Sequence, residues 1–360
     1  MAFDRDLSRT RIRIIRTYYS HWGPHSGTNP FAGALDSERF RVVTDLVPMG
    51  GDQFPPIGHR LRQHLRTVIR SSGMHAYDLN DACAEGRALG LWLLGELDIV
   101  HYLDGEHSLQ YLPRLLRRFS KLKHRVPVVA TFHQPPELLV ELTGPAVLRT
   151  IDCAVALCPE QAAYFEQYLP SDRIQLIPLG IDTDFFQPDA DRVASSQLRC
   201  LSVGTWLRDY DTVLTVAELL RGYPDITFEI VSNADLKPRS PNVRIRSGLE
   251  DLDLRKAYQQ SDVLFVPMLS ATANCAILEA IACGVPVVSS ALPSVSMYLP
   301  GDEGLLIPGR DPAKYVDAIL ALRDSPQRRL EMSRHARLRA LELSWSKIAT
   351  KYESIYARLA

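Results

Sequence analysis

The feature that most constrains this chain is an alternation of short apolar or β-branched runs with helical patterns, carried out twice and broken once. The first series places its apolar runs at residues 12–16, 40–47, 98–102, 126–132 and 153–157. It stops at IPLGIDTDFFQPDADRVASSQ, where Pro178, Gly180 and Pro188 interrupt the pattern and polar residues follow through Gln197. A second series begins at residues 198–203 and continues at 226–231, 243–246, 263–267 and 285–290. Runs this short, separated by helices, build parallel sheets covered on both faces. At 360 residues the chain also exceeds the length at which one core usually stops growing. The sequence therefore predicts an α/β protein of two Rossmann-like parallel-sheet domains, residues 1–182 and 183–344.

A last helical pattern, residues 345–360, sets Trp345, Ile348, Ala349, Tyr352, Tyr356 and Leu359 on one stripe. Spacing alone leaves two destinations for it, the second domain or a return across the linker to the first.

Charge and cysteines narrow the function classes. Lys plus Arg number 41 and Asp plus Glu 42, so there is no global field to gather nucleic acid. Six scattered cysteines without C-x-x-C pairs or histidines at ligand spacing read as reduced, buried thiols, and no metal site is expected. The first residues lack the apolar stretch of a signal peptide, and no apolar run approaches the roughly 20 residues that cross a bilayer. A cytoplasmic site of action follows as the expectation.

Ligands of open parallel sheets sit beyond the carboxyl ends of the strands. After the first run comes YYSHWGPHSGTN, where Gly23 and Gly27 would let backbone N–H groups approach a phosphate at the start of a following helix, or are simply turn glycines. Neither G-x-G-x-x-G nor G-x-x-x-x-G-K-[ST] occurs, which removes the usual nicotinamide, flavin and P-loop readings. His133, in ATFHQPPE, reads as an exposed strand-end histidine able to donate to a sugar hydroxyl or phosphate oxygen, or as a structural one. His101, Asp104, Glu106 and His107, in HYLDGEH, either meet an acceptor or form a solvated loop, and the solvated loop is favoured. In LSVGTWLRDYDTVL, Gly204 ends a run and Arg208 leads into a helix, where a guanidinium can hold a diphosphate; the alternative is a surface arginine. Glu279 is the one acid of the otherwise small, apolar helix NCAILEAIA, so it requires a hydroxyl or cationic partner.

The segments IPLGIDTDFFQP, SVGTWLRDYDTVL, YQQSDVLFVP and NCAILEAIACGVPVV resemble the linker and second domain of retaining glycosyltransferases of family 4. DIVHYLDGEH, PVVATFHQPPE and DCAVALCPEQ extend the resemblance over nearly the whole chain. It implies the GT-B fold, two Rossmann-like domains facing a cleft, with the final helix crossing back to the first. It further implies a nucleoside-diphosphate sugar of UDP or GDP type as donor and a hydroxyl acceptor, with no cofactor and no metal. By the same resemblance Glu279 binds the nucleotide ribose, Gly27 approaches the diphosphate, and His133 contacts the donor sugar. The stretch of residues 243–248, with Ile245 and Gly248, holds the base through its backbone. Gly204, Thr205, Asn274, Cys275 and Ala276 complete the donor contacts, and His101, Asp104, Glu106 and His107 face the acceptor.

Two departures stand out. The family's paired glutamates are eight positions apart, and the position eight before Glu279 is Ala271, with Thr272 and Asn274 as the nearest polar residues. The arginine that usually follows the strand-end glycine is Thr205, and Arg208 is read as its substitute. Retaining glycosidases use two carboxylates about 5 Å apart. No such pair is evident here, so the expected mechanism is same-face attack by the acceptor while the leaving diphosphate takes its proton. A non-catalytic sugar-nucleotide-binding subunit and a sugar-nucleotide epimerase are the alternatives.

Two basic segments add a possible partner class, an anionic membrane surface at the inner face. In LPRLLRRFSKLKHR the stripe Leu112, Leu115, Leu116, Phe119 and Leu122 runs beside Arg114, Arg117, Arg118, Lys121 and Lys123. In GHRLRQHLRTVIR, Arg60, Arg62, Arg66 and Arg70 surround Leu61, Leu65, Val68 and Ile69. The alternative is that both stripes pack on the sheet.

Overall fold

A computed structural model describes residues 9–19, 22–48, 58–70, 76–121, 123–192, 197–238 and 240–360. The chain forms two compact units. One comprises Met1–Ser20, Phe31–Ile177 and Ile348–Ala360, the other His21–Pro30 and Pro178–Lys347.

The first unit carries a sheet of β1 (Thr10–Tyr18), β2 (Phe40–Pro48), β3 (Ile99–Tyr102), β4 (Val128–Thr131), β5 (Cys153–Ala156) and β6 (Ile174–Leu176). Its order is β2-β1-β3-β4-β5-β6 with every pair parallel. The second carries β7 (Leu198–Val203), β8 (Ile226–Val231), β9 (Val243–Arg246), β10 (Val263–Val266), β11 (Val287–Ser290) and β12 (Gly304–Ile307). Its order is β12-β11-β10-β7-β8-β9, again parallel. Every residue of β3, β4, β5, β10 and β11 is buried, which is why apolar residues dominate these strands, with His101, Thr131, Ser289 and Ser290 as buried polar exceptions. The edge strands β6 and β12 have no buried residue.

Two expectations need correction. No α-helix follows the glycine loop after β1; the chain makes one turn of 3-10 helix at Phe31–Ala34 and enters β2. Of the six free cysteines, Cys83 is exposed and Cys275 only partly buried.

The final helix, Trp345–Leu359, contributes to both units in sequence order. In the second unit Trp345 lies so close to Gly180 that a Cβ there would stand 2.4 Å from its ring, so that site admits only glycine. In the first unit Tyr352 meets Phe31 at 4.7 Å between ring centroids. Tyr356 places its hydroxyl 2.6 Å from Nδ1 of His101, whose Nε2 is 2.9 Å from the Thr131 hydroxyl. Burial drives His101 down to a pKa of about 3, so the ring is neutral. Glu353 accepts from the backbone of Asp36 at 2.8 Å.

Tyr356→Ala should therefore destabilise the protein by about 3–5 kcal/mol, through the lost ring and an unpaired His101 nitrogen. Urea denaturation of the two proteins measures this, and a loss below about 1 kcal/mol would contradict the packing described.

Candidate functional site

In the second unit the strand ends bring together three segments far apart in sequence. After β7, Gly204 has φ +100 and lies under the Arg208 side chain, 2.7 Å from where a Cβ would meet Nη2. Leu207 is the one non-glycine residue with positive φ among those described, at 59°, a conformation that costs about 1–3 kcal/mol. This turn lets the chain pair with the loop after β10: Leu269 N–H donates to the Leu207 carbonyl and Asp209 N–H to the Pro267 carbonyl, both at 3.0 Å. Arg208, held between them, is partly buried. It donates from Nε to the Val203 carbonyl at 2.8 Å, from Nη1 to the Trp206 carbonyl at 2.9 Å and from Nη2 to Oδ1 of Asn274 at 3.3 Å. Among the described residues no carboxylate forms an ion pair with it, and burial lowers its pKa. Thr205 turns away from this group, bonding Ser232 at 3.1 Å.

Asn274 caps the helix Cys275–Ala282, its Oδ1 accepting from Ile277 N–H at 3.2 Å. The same oxygen therefore ties a cation to a helix N-terminus, where the backbone already favours negative charge. Ala271 and Thr272 in the preceding loop are buried, and the Thr272 hydroxyl has no hydrogen-bond partner among the described residues.

One turn into this helix Glu279 is 3% exposed. Its partners are hydroxyls: Tyr258 donates to Oε2 at 2.8 Å and Ser26 to Oε1 at 3.3 Å. Burial raises its pKa to about 7, against these two hydrogen bonds. Ser26 belongs to the glycine loop, residues 22–30, which packs within this unit. There Gly27 has φ +58 and a Cβ would come within 2.5 Å of the Trp22 ring. Gly27 N–H donates to the Cys275 sulfur, and Asp251 accepts from His25 N–H at 3.0 Å. Ala276 is buried, Ile245 of β9 packs into the second core, and Gly248, at φ +64, faces open space.

In the first unit the strand-end groups also gather, but not as a solvated loop. Asp104 and Glu106 are buried, at 1% and 0% exposure, and His101 is buried beneath the final helix. Asp104 accepts from Thr17 N–H at 2.8 Å, and Glu106 from His133 N–H at 3.0 Å. His133 is not fully exposed either; its Nε2 lies 2.7 Å from the Leu103 carbonyl and 4.0 Å from Asp104. Burial and neighbouring Asp104 push Glu106 up to about 8, so it is protonated at neutral pH, and burial lowers His107. Covered acids of this kind are rare enough that sequence alone assigns them to water.

Residues 31–185 match the family description Glycosyltransferase Family 4, and residues 199–325 match Glycosyl transferases group 1. A D-inositol 3-phosphate glycosyltransferase of Frankia alni is 30% identical over 296 residues, 71% of this chain and 72% of that protein. The chain belongs to glycosyltransferase family 4. Its fold is GT-B: sucrose-phosphate synthase from Thermosynechococcus elongatus superposes with a TM-score of 0.73 at 18% identity, covering 98% of this chain and 99% of that one. HepE of Anabaena, in complex with UDP-glucose, superposes at 0.66 and 12% identity, covering 96% and 99%. Against two other curated relatives the chain spans 60% and 51% of their length.

In this family 4 chain Ser26, Asp251 and Tyr258 join the group around Glu279 without being evident from the sequence. Tyr258 had a signal, standing four residues before Asp262 in YQQSDV on a helix next to the apolar one. Ser26 had none, because its partner is 253 positions away.

Because Glu279 binds its proton more tightly folded (about 7) than unfolded (4.5), the stability it contributes is complete below about pH 4.5 and is lost as pH rises toward about 7–8. Glu279→Gln, neutral throughout, should accordingly become more stable relative to the native chain by about 1–3 kcal/mol between pH 5 and 8. Chemical denaturation across that range checks the sign, and a difference independent of pH would contradict a raised carboxyl.

Proposed function

We propose that this chain transfers a sugar from a nucleoside-diphosphate sugar to an acceptor hydroxyl with retention of configuration and without a metal. The observation that carries the reading is Arg208, a guanidinium that forms no ion pair among the described residues, tied through Asn274 to the N-terminus of the helix that bears Glu279. An anion with several oxygens fits such a group, and a diphosphate gains charge as its sugar leaves. Glu279, one turn on, would accept from a nucleotide ribose, as the family resemblance implies. The complex of HepE with UDP-glucose supports UDP as the first nucleotide to test. With no second carboxylate at position 271, the departing diphosphate is the base for the acceptor hydroxyl, and the protein positions and stabilises charge. In this reading His133 contacts the donor sugar and Asp104, Glu106 and His107 of the first unit lie on the acceptor side, while His101 is withdrawn beneath the final helix.

Arg208→Ala should lower turnover at saturating donor about 10²-fold, with a smaller effect on donor affinity. Glu279→Ala should instead weaken nucleotide binding by about 1.5–3 kcal/mol. Radiolabelled sugar transfer and calorimetric titration separate the two. Preserved turnover in Arg208→Ala removes it from catalysis, and donor binding with neither transfer nor hydrolysis marks a binding subunit, the reading that Ala271 favours. A changed sugar on the same nucleotide would mark an epimerase.

We also propose that the chain works against an anionic membrane. No helix among the described residues is long and apolar enough to cross one. In the segment beginning at Leu112, Leu112 and Leu116 are buried and the helix ends at Arg118, so that stripe mostly packs inward; Leu122 lies outside the described residues. The helix His59–Arg70 differs. It holds no acid, and Leu61 and Val68 are 53% and 54% exposed beside Arg60. Each basic residue near an anionic leaflet is worth about 1 kcal/mol. Sedimentation with vesicles should show binding that grows with anionic lipid and falls with salt, and that is lost on replacing Leu61 and Val68 by Ser with Arg60 by Gln. Equal pelleting on neutral vesicles would reject it.

A further inference from the structure

The glycine loop touches the helix Cys275–Ala282 at two points one turn apart. Gly27 N–H donates to the Cys275 sulfur, and the Ser26 hydroxyl lies 3.3 Å from Oε1 of Glu279. That hydroxyl is also 3.3 Å from Oδ1 of Asp251. A hydroxyl has one proton to give, so Ser26 serves one carboxylate at a time, with the two acceptors equidistant. Asp251 is committed to the loop in its own right: it takes His25 N–H, and its carboxylate stands 2.1 Å from where a Cβ on Gly23 would be. His25 fixes the loop's outer side, with Nδ1 2.7 Å from Asp182 and its ring stacked on Phe185 at 3.8 Å. Tyr258 already occupies the other oxygen of Glu279. The second oxygen of Glu279 is thus met by a hydroxyl from the protein itself.

We propose that Ser26 holds the place of a ribose hydroxyl on Glu279, and that nucleotide binding redirects it to Asp251, which acts as a positioning residue for the donor. This rests on the donor-site reading above. Asp251 gives the displaced hydroxyl an acceptor without moving the loop, so the hydrogen bond lost at Glu279 is regained 3.3 Å away. Removing the Ser26 hydroxyl removes the competitor and should tighten nucleotide binding, the reverse of what damage to a loop would do. Replacing Asp251 by Asn, which can still accept from His25, weakens the alternative acceptor and should raise the barrier to entry of the ribose.

The test titrates UDP and GDP into the full chain by calorimetry and carries the tighter one, with its 2′,3′-dideoxy analogue, into the variants. Ser26→Ala should bind the nucleotide about three- to ten-fold more tightly and the dideoxy analogue no better than the native chain does. Asp251→Asn should weaken the nucleotide by a similar factor, and by much less when Ser26 is already Ala. Unchanged or weaker binding by Ser26→Ala, with Glu279→Ala still impaired, overturns the competition and leaves the donor site standing. Unchanged binding by Glu279→Ala, or binding of neither nucleotide, overturns the donor-site reading and this inference with it.

Discussion

The second unit is organised around one side-chain oxygen. Oδ1 of Asn274 caps the helix Cys275–Ala282 and also receives Nη2 of Arg208. Without the cap the first N–H groups of that helix would lack partners. Without the guanidinium contact, Arg208 would not be drawn across Gly204 into the strand ends. The strained turn at Leu207 and the paired backbones of the loops after β7 and β10 complete the same arrangement. A local conformational cost is thereby fixed by groups that leave a cation short of negative charge.

The helix that Asn274 begins carries a second cost. Glu279 is a carboxyl group in an apolar layer, raised to about 7 by burial and kept from rising further by Tyr258 and Ser26. Natural chains hold such groups where a ligand or a partner repays them. The first unit repeats the pattern with Glu106, Asp104 and His133 at the ends of its central strands, while the final helix covers His101 with Tyr352 and Tyr356.

The sequence revealed those parts of the fold that depend on short-range pattern. Central strands buried on both faces read directly, as did the linker at Pro178–Pro188 and the stripe of the last helix. Edge strands β6 and β12, three and four residues long, were not anticipated. Of the candidate site, Glu279 stood out as the one acid of an apolar helix, and Arg208 only as a cation in a strand-end loop. Asp104 and Glu106 were misread as solvated, since acids usually face water, and only the tertiary structure supplies the backbone N–H groups that cover them. The Ser26–Glu279 contact, joining residues 253 positions apart, lies beyond any local rule. So does the distribution of the chain between units, with His21–Pro30 placed beside Pro178–Lys347.

The central claim is the proposed role of Arg208, which forms no ion pair among the described residues, in holding a diphosphate. Thermal unfolding of the native chain and of Arg208→Met, each with and without saturating UDP or GDP, tests it most directly. A ligand at about 100 times its dissociation constant stabilises by about 2.7 kcal/mol, so the account predicts a clear rise in unfolding temperature for the native chain and a smaller rise for the variant at the same nucleotide concentration. Equal protection of both proteins, or of neither, would contradict it.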